Sequence, residues 1–492
     1  MVNKTIFQFF HWYYSAEGKL WQHATDQAER LAWVGVTDVW LPPAYKSAQG
    51  LAEPGYAVYD LYDLGEFDQK GTIPTRYGTK EEYLECIKAL RDQNIGVLGD
   101  IVLNHKIGGD EKEEVPVVRV NEENREEVIS DQHHMMAHTK FYFPGRNGKY
   151  SDFIWDWHAF TGINEDGSIA AVVNEYGQGT WEPMLENEHG NFDYLMGSDI
   201  EFRNPYVREE LKKWGEWYVE TTGITGFRLD AVKHITPDFF PEWLDHLKNK
   251  FQRDFFTIGE YWRNNVEALK LYLDATGERI HLFDVPLHFN FYEASIQGGD
   301  YDMRRIFDNS LVKERPFRAI TFVDNHDTQP LQALESTVEY WFKPHAYAII
   351  MLREAGIPCA FYPAMYGAKY VDHKDGDEIY IELNAVPGLE KMMMMRRDLA
   401  YGIQGEYFDD PTVVGWTKQG EDDKPLSGYA VILSNGDQGE KHMSMGEKNA
   451  GRVLVDAFGT RPEIITLDEY GEATFPVNGG SVSVWVDRDY NC

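Results

Sequence analysis

Short apolar runs recur along most of the chain, at 5–10, 36–41, 95–103, 224–230, 255–260, 280–285, 318–323 and 357–361. Their length and near-continuous hydrophobicity suit strands covered on both faces. Between most of them lie stretches whose apolar residues recur at the spacing of one helix face, including 20–34, 79–93, 206–221, 237–250 and 338–355. Strand–helix alternation repeated eight times predicts a (β/α)8 barrel, with a doubly wound parallel sheet as the structural alternative.

The pattern breaks twice. From Asn104 to about 205 the chain is rich in Gly, Asn, His, Trp and acids, without a clear helix period. Connections after barrel strands usually run about 2–6 residues, so this stretch predicts a small domain inserted after the third strand. Beyond about 400, short alternating runs (VVGWT, YAVIL, RVLV, SVSVWV) are separated by Gly, Asn and Asp. They predict a C-terminal antiparallel β domain. The expected division is a barrel of 1–103 and 206–399, an insertion of 104–205 and a β domain of 400–492. No internal repeat is visible.

Composition narrows the class. An apolar fraction of 43 % and an aromatic fraction of 14 % support a large core and exclude a disordered chain. No apolar run is long enough for a membrane-spanning helix. The formal net charge of −34 repels nucleic acid and anionic lipid and leaves a neutral substrate as the expected partner, with a monomer expected. Cys86, Cys359 and Cys492 are far apart and odd in number, which argues against a disulfide framework. The N-terminal MVNKTIFQFFHWYY reads as a first strand, not as a secretion signal, so a cytoplasmic protein is expected.

The chemistry sits at strand ends. GFRLDAVKH at 226–234 places Arg228 and Asp230 two apart on a strand, hence on one face. A guanidinium beside a carboxylate favours its ionised form, which a carboxylate nucleophile requires. FFTIGEY at 255–261 ends an apolar strand in Glu260, and ITFVDNHD at 320–327 ends another in Asp327. In a parallel barrel the C-terminal strand ends form the active-site face. Glu260, flanked by Tyr261 and Trp262, is placed for a raised pKa through desolvation and nearby acids. Taken singly, each acid could be an ion-pair partner or a strand-end cap.

Taken in order, DIVLNHK at 100–106, GFRLDAVKH, GEYW at 259–262 and FVDNHD at 322–327 resemble the α-amylase family of glycoside hydrolases. The resemblance covers nearly the whole chain, through GYAVYDLYDLGEFDQKG at 55–71, GNFDYLMGSDIEF at 190–202, FDVPLHF at 283–289 and NGGSVSVWV at 478–486. It points to the liquefying bacterial enzymes and their cytoplasmic relatives. It implies retaining endo-hydrolysis of α-1,4-glucan, with Asp230 as nucleophile, Glu260 as general acid/base and Asp327 as transition-state stabiliser. His105 and His326 match histidines that hydrogen-bond the sugar at the cleavage point, Asp100 an acid supporting that site, and Tyr56 an aromatic that stacks on the same sugar. Lys233 and His234 match contacts on the leaving-group side. Within the family, a maltooligosaccharide-specific hydrolase or a glucanotransferase shares these acids. From another class, a non-catalytic glycan-binding barrel would have lost Asp230, Glu260 or Asp327, and all three are present.

The resemblance also implies one calcium ion, held by Asn104, Asp193, Asp199 and the backbone carbonyl of His234. Further metals of secreted relatives are not expected, because their positions match Asn164, Glu182, Glu201 and Asn204, and because YFDDPT at 407–412 carries Pro411 and Thr412 in place of a His-Asp pair. Three weaker signals are set aside. His134 and His138, four apart, lack a third zinc ligand. MMMMRR at 392–397 reads as a buried helix face. DEKEE at 110–114 reads as a solvated loop.

Overall fold

The computed structural model describes residues 3–491. Eight parallel strands close into a barrel: β1 (Ile6–Gln8), β2 (Asp38–Leu41), β3 (Gly96–Ile101), β4 (Gly226–Leu229), β5 (Phe256–Gly259), β6 (His281–Phe283), β7 (Ala319–Phe322) and β8 (Ile357–Phe361). Closure between β1 and β8 excludes the doubly wound alternative. Each strand lies within an apolar run of the sequence. Register matters for the site: Asp100 on β3 pairs with Arg228 on β4, and Arg228 pairs with Ile258 on β5.

The surrounding helices begin where local chemistry starts them. Helix α1 (Leu20–Val34) ends at Gly35 with φ of 96°, a left-handed position that a side chain would strain. Helix α2 (Lys80–Asp92) opens on a capping box, Thr79 accepting from the Glu82 amide and Glu82 reaching back, and buries Tyr83, Cys86, Ile87 and Leu90. Helix α3 (Pro205–Thr222) is capped by Asn204 with proline in its first turn. Then come α4 (Phe239–Phe251), α5 (Val266–Ala275) and α6 (Val285–Gln297).

The amphipathic helix expected across 338–355 is instead a short helix, α7 (Lys343–Leu352), buried from His345 to Leu352. The C-terminal sheet explains this. Trp416 Nε1 and Tyr429 Oη donate to the Leu352 carbonyl at 2.8 and 2.7 Å, and His345 Nε2 meets the Ser434 carbonyl at 2.9 Å. Sandwiched between barrel and sheet, α7 has no solvent face. Helix α8 (Leu389–Leu399) buries Met392, Met393, Met394 and Met395, as the methionine run suggested. The C-terminal sheet itself has six strands, among them Val413–Lys418, Tyr429–Ser434, Val453–Asp456 and Ser481–Asp487.

The stretch after β3 corrects the sequence reading most. It holds a six-stranded antiparallel sheet that includes His105–Lys106, Glu111–Arg119, His133–Lys140, Phe160–Ile163, Ala170–Val172 and Ser198–Ile200. DEKEE is therefore mostly strand, not loop. Its charges face water while Val115 and Val117 enter a small core. His134 and His138 lie four apart on a strand, roughly 13 Å by strand rise, too far for one metal ion. The sheet is tied to the barrel at Lys106. Its ammonium donates to the Tyr59 carbonyl at 2.6 Å and lies 4.9–5.2 Å from the rings of Phe141, Phe143 and Trp155.

Among the described residues no helix is long and apolar enough to cross a membrane. Cys86 and Cys359 are buried free thiols, and Cys492 lies outside the described residues.

Candidate active site

One guanidinium organises the C-terminal mouth of the barrel. Arg228 is fully buried. Its Nη1 donates to Asp230 Oδ1 at 2.6 Å and to Asp100 Oδ1 at 2.8 Å, and its Nη2 donates to Glu260. The sequence suggested an Arg228–Asp230 pair; the structure shows one cation bridging three carboxylates on three adjacent strands. Asp327 completes the group from the loop after β7, beside His326 at 3.3 Å.

Glu260, Asp327 and Asp100 are all held above the usual carboxylate range. Burial, with the charges of Asp327, Asp230 and Asp100 adding, outweighs Arg228 and holds the Glu260 carboxyl well above the usual carboxylate range. Burial pushes Asp327 up to about 7 and Asp100 up to about 6, with Asp230 raising both. Asp100 is also tied down by Trp40 Nε1 at 2.9 Å and Tyr56 Oη at 2.7 Å. The arrangement thus offers a carboxyl, Glu260, biased toward keeping its proton, next to Asp230 held in place by a guanidinium.

His105 and His326 are buried, and burial pushes both below the ordinary histidine value, so both are neutral at pH 7. His105 Nε2 meets the Tyr56 carbonyl at 2.9 Å, and His326 Nδ1 meets Gln8 Nε2 at 3.1 Å. Tyr56, His326 and Trp12 lie near-parallel side by side, with centroids 5.1 Å (Tyr56–His326), 5.7 Å (Tyr56–Trp12) and 6.1 Å (Trp12–His326) apart. Sequence reading named Tyr56 and missed Trp12. Its only signal was an aromatic-rich HWYY just after β1, the position from which a barrel loop enters the site.

Lys233 and His234 lie in a short 3₁₀ turn, Val232–His234, set up by Ala231 in the left-handed region at φ of 48°. That backbone strain sits next to Asp230 and turns the chain sharply from strand into site. Lys233 pairs with Glu188, and His234 Nδ1 meets the Phe192 carbonyl at 2.7 Å.

Three of the four positions named for a metal, Asn104, Asp193 and Asp199, also lie together. Asn104 Nδ2 donates to Asp199 Oδ1 at 3.2 Å, yet Asn104 Oδ1 and Asp199 Oδ2 are buried acceptors without a donor. Asp193 is fully buried nearby, pushed up to about 8, burial leading and Glu201 adding. No group of three or more His, Cys, Asp or Glu side chains able to hold a metal occurs among the described residues. A cage here must therefore draw on the Asn104 amide and backbone carbonyls.

The positions matched to further metals have other partners. Arg203 clasps Glu201 at 2.6 and 2.7 Å, and Glu182 accepts from the Phe202 amide. Asn204 caps α3, and Asn164 closes a turn onto Gly167 at 2.8 Å. Pro411 accepts from the Met303 amide at 2.8 Å, and the Thr412 amide donates to Asp410 at 2.8 Å.

A profile of the α-amylase catalytic domain matches residues 18–385. The chain belongs to the α-amylase family. Over 493 aligned residues it is 48 % identical to a cytoplasmic α-amylase of Escherichia coli, covering 99 % of each chain. It is 45 % identical to an α-amylase of Bacillus licheniformis, covering 99 % of this chain and 94 % of that one. An α-amylase from Geobacillus thermoleovorans, solved in complex with acarbose, superposes with a TM-score of 0.65 over 99 % of both chains at 18 % identity, a likeness of fold. As a family member the chain is a glycoside hydrolase with α-amylase activity.

Proposed function

We propose retaining endo-hydrolysis of α-1,4-glucosidic bonds in starch, glycogen or maltodextrins. The single observation carrying this reading is the Arg228 bridge, which places Asp100, Asp230 and Glu260 around one cation beside Asp327. Asp230 Oδ1 is engaged by Arg228, so Oδ2 is the attacking oxygen. It forms a bond to the anomeric carbon as the bond to the leaving oxygen breaks, and Glu260 supplies that oxygen's proton. Glu260 then takes a proton from water, which displaces Asp230. Asp327 grips sugar hydroxyls and offsets positive charge at the anomeric carbon. Neutral His105 and His326 hydrogen-bond the same sugar, and Tyr56, backed by Trp12, forms its stacking wall. Lys233 and His234 serve the leaving-group side.

The donor set suits a calcium ion. Ca²⁺ takes about 6–8 oxygens, and two carboxylates, an amide oxygen and the His234 carbonyl begin such a shell. The buried, donorless oxygens of Asn104 and Asp199 support this. Asn104, Asp193 and Asp199 would hold the ion, and its charge would join the inserted sheet to the barrel. A single main site is proposed, since Arg203 already neutralises Glu201. A cytoplasmic monomer is the accompanying reading, supported by the Escherichia coli relative's name and by the buried free thiols.

The test is NMR of the freshly released anomer together with a time course of products from starch and defined maltooligosaccharides. The α anomer and early medium-length products are expected. A β anomer would overturn the assignment of Asp230 as nucleophile.

A further inference from the structure

Beside the catalytic centre a loop of the inserted region crosses to the barrel and is fastened there by charge. Tyr261 Oη donates to Glu186 Oε2 at 2.9 Å. Arg263 donates from Nε to Glu186 Oε1 at 3.2 Å and from Nη1 to Glu188 Oε2 at 3.1 Å. Glu188 in turn holds the Lys233 ammonium. On its far side the loop is pinned by the Arg125 amide, which donates to the His189 carbonyl at 2.7 Å, and by the Arg125 guanidinium 4.6 Å from the Phe192 ring. His189 and Gly190 both take positive φ, 52° and 76°, so the loop turns sharply between its two anchors.

The arrangement has a chemical consequence. Tyr261 and Arg263 lie one and three residues after Glu260, and Lys233 lies three residues after Asp230, so the fastened loop sits beside the proposed proton donor. The Lys233–Glu188 pair presents a donor and an acceptor side by side, the pattern that recognises vicinal sugar hydroxyls. Lys233 is almost buried, at 7 % side-chain exposure, whereas Arg263 is 39 % exposed. Arg263 therefore stands outside the pair and orients it. Its rigid fork spans two carboxylates, which a lysine cannot do.

We infer that Arg263 and Glu186 are positioning residues that hold the Lys233–Glu188 pair in place to grip the leaving-group portion of the α-glucan. The inference rests on the proposed role of Glu260 as proton donor. Short oligosaccharides, which depend on every leaving-group contact, feel the loss most, because long chains compensate through other contacts.

The experiment compares steady-state kinetics on maltopentaose and on long amylose for wild type, Arg263→Gln, Arg263→Lys, Glu186→Gln and the Arg263→Gln/Glu186→Gln double variant. Arg263→Gln is expected to raise KM for maltopentaose on the order of tenfold, the loss of about one charge-assisted hydrogen bond. It should leave kcat on amylose within about twofold of wild type, as for a purely binding effect. Arg263→Lys should recover part of the KM loss, and the double variant should be less than additive. A lowered melting temperature with unchanged maltopentaose KM would mean a merely structural strap and overturn the inference. So would a fall in kcat at constant KM. Glu260→Gln, run in parallel, separates the two readings. If it is inert while Arg263→Gln leaves KM unmoved, only the positioning role of Arg263 and Glu186 is wrong; if it stays active, both readings fall.

Discussion

Two clusters of buried acids lie in this molecule, and they are neutralised in opposite ways. At the barrel mouth Asp100, Asp230 and Glu260 share Arg228, a cation built into β4 and wholly buried. At the junction with the inserted sheet, Asp193, Asp199, Glu182 and Glu201 crowd together; Arg203, a quarter exposed, bonds only Glu201 of the four, and the Arg125 guanidinium acts on Asp193 and Asp199 without a hydrogen bond to either. The first cluster is complete as the chain folds. The second leaves acceptors on Asn104 and Asp199 without donors, and burial with Asp193, Glu182 and Glu201 pushes Asp199 well above the carboxylate range. A fixed cation suits chemistry, because its position does not change during turnover. An exchangeable cation suits a joint.

The largest effect should come from the reacting pair. Asp230→Asn is expected to lower kcat on starch by at least about 10⁴-fold, as removal of a nucleophile does. Glu260→Gln should lower it by about 10²–10⁴-fold, the range of a general acid. Stopped assays of reducing ends, with circular dichroism to check folding, measure both. Near-wild-type rates in either folded variant would sink the assignment.

Next is the built-in cation. Arg228→Met strands three buried acids, and breaking such a buried arrangement costs about 3–5 kcal/mol. Arg203→Met, at the edge of the other cluster, should cost well under half of that. Urea unfolding of both variants sharpens the contrast, and equal losses would remove it.

The proposed calcium ion predicts a smaller, conditional effect. A chelator should lower the melting temperature by several degrees, since saturation at a hundred times Kd contributes about 2.7 kcal/mol. Asp199→Asn should abolish that response, and without calcium it should melt no lower than wild type, because it removes one of several crowded anions. Glu201→Gln should keep the calcium response. Thermal scans with and without calcium decide this, and a calcium-responsive Asp199→Asn would break the comparison.

The smallest effect is a displaced pH limb. As the proposed proton donor, Glu260 must hold its proton, so activity is expected to fall as pH rises through its raised pKa. Asp327 is one cause of that elevation, so removing its charge lowers the Glu260 value. The residual activity of Asp327→Asn should therefore decline at lower pH than wild type does. A pH profile of kcat/KM reads the shift, and an unmoved or upward limb would contradict the coupling.

The barrel was legible because its strands are buried on both faces and read as continuous apolar runs, so the eight predicted stretches each contain the observed strand. The inserted sheet was not, because strands such as Glu111–Arg119 keep one face in water and alternate with charge, and others span only two to four residues. Asp100 was named only through the family resemblance, whereas Asp230, Glu260 and Asp327 were legible from their positions at or past strand ends and Arg228 from its two-residue spacing to Asp230. That Arg228 serves three acids was not, because it depends on the β3–β4 register, which only the closed barrel fixes. Trp12 and Arg263 lie in loops, where no period marks which side chain turns inward.

The two-residue strand His105–Lys106 joins what the acids keep apart. Asn104, just before it, belongs to the proposed calcium cage. His105 belongs to the proposed sugar site and pairs in register with Asp199 of the proposed cage. A segment shared by two ligands couples them, and such coupling is reciprocal. Whatever factor calcium applies to the affinity for a bound oligosaccharide, the oligosaccharide must apply to calcium. A chain engaged on starch would then hold its metal with a different affinity from an idle one, so that substrate supply itself shifts how far the joint is occupied.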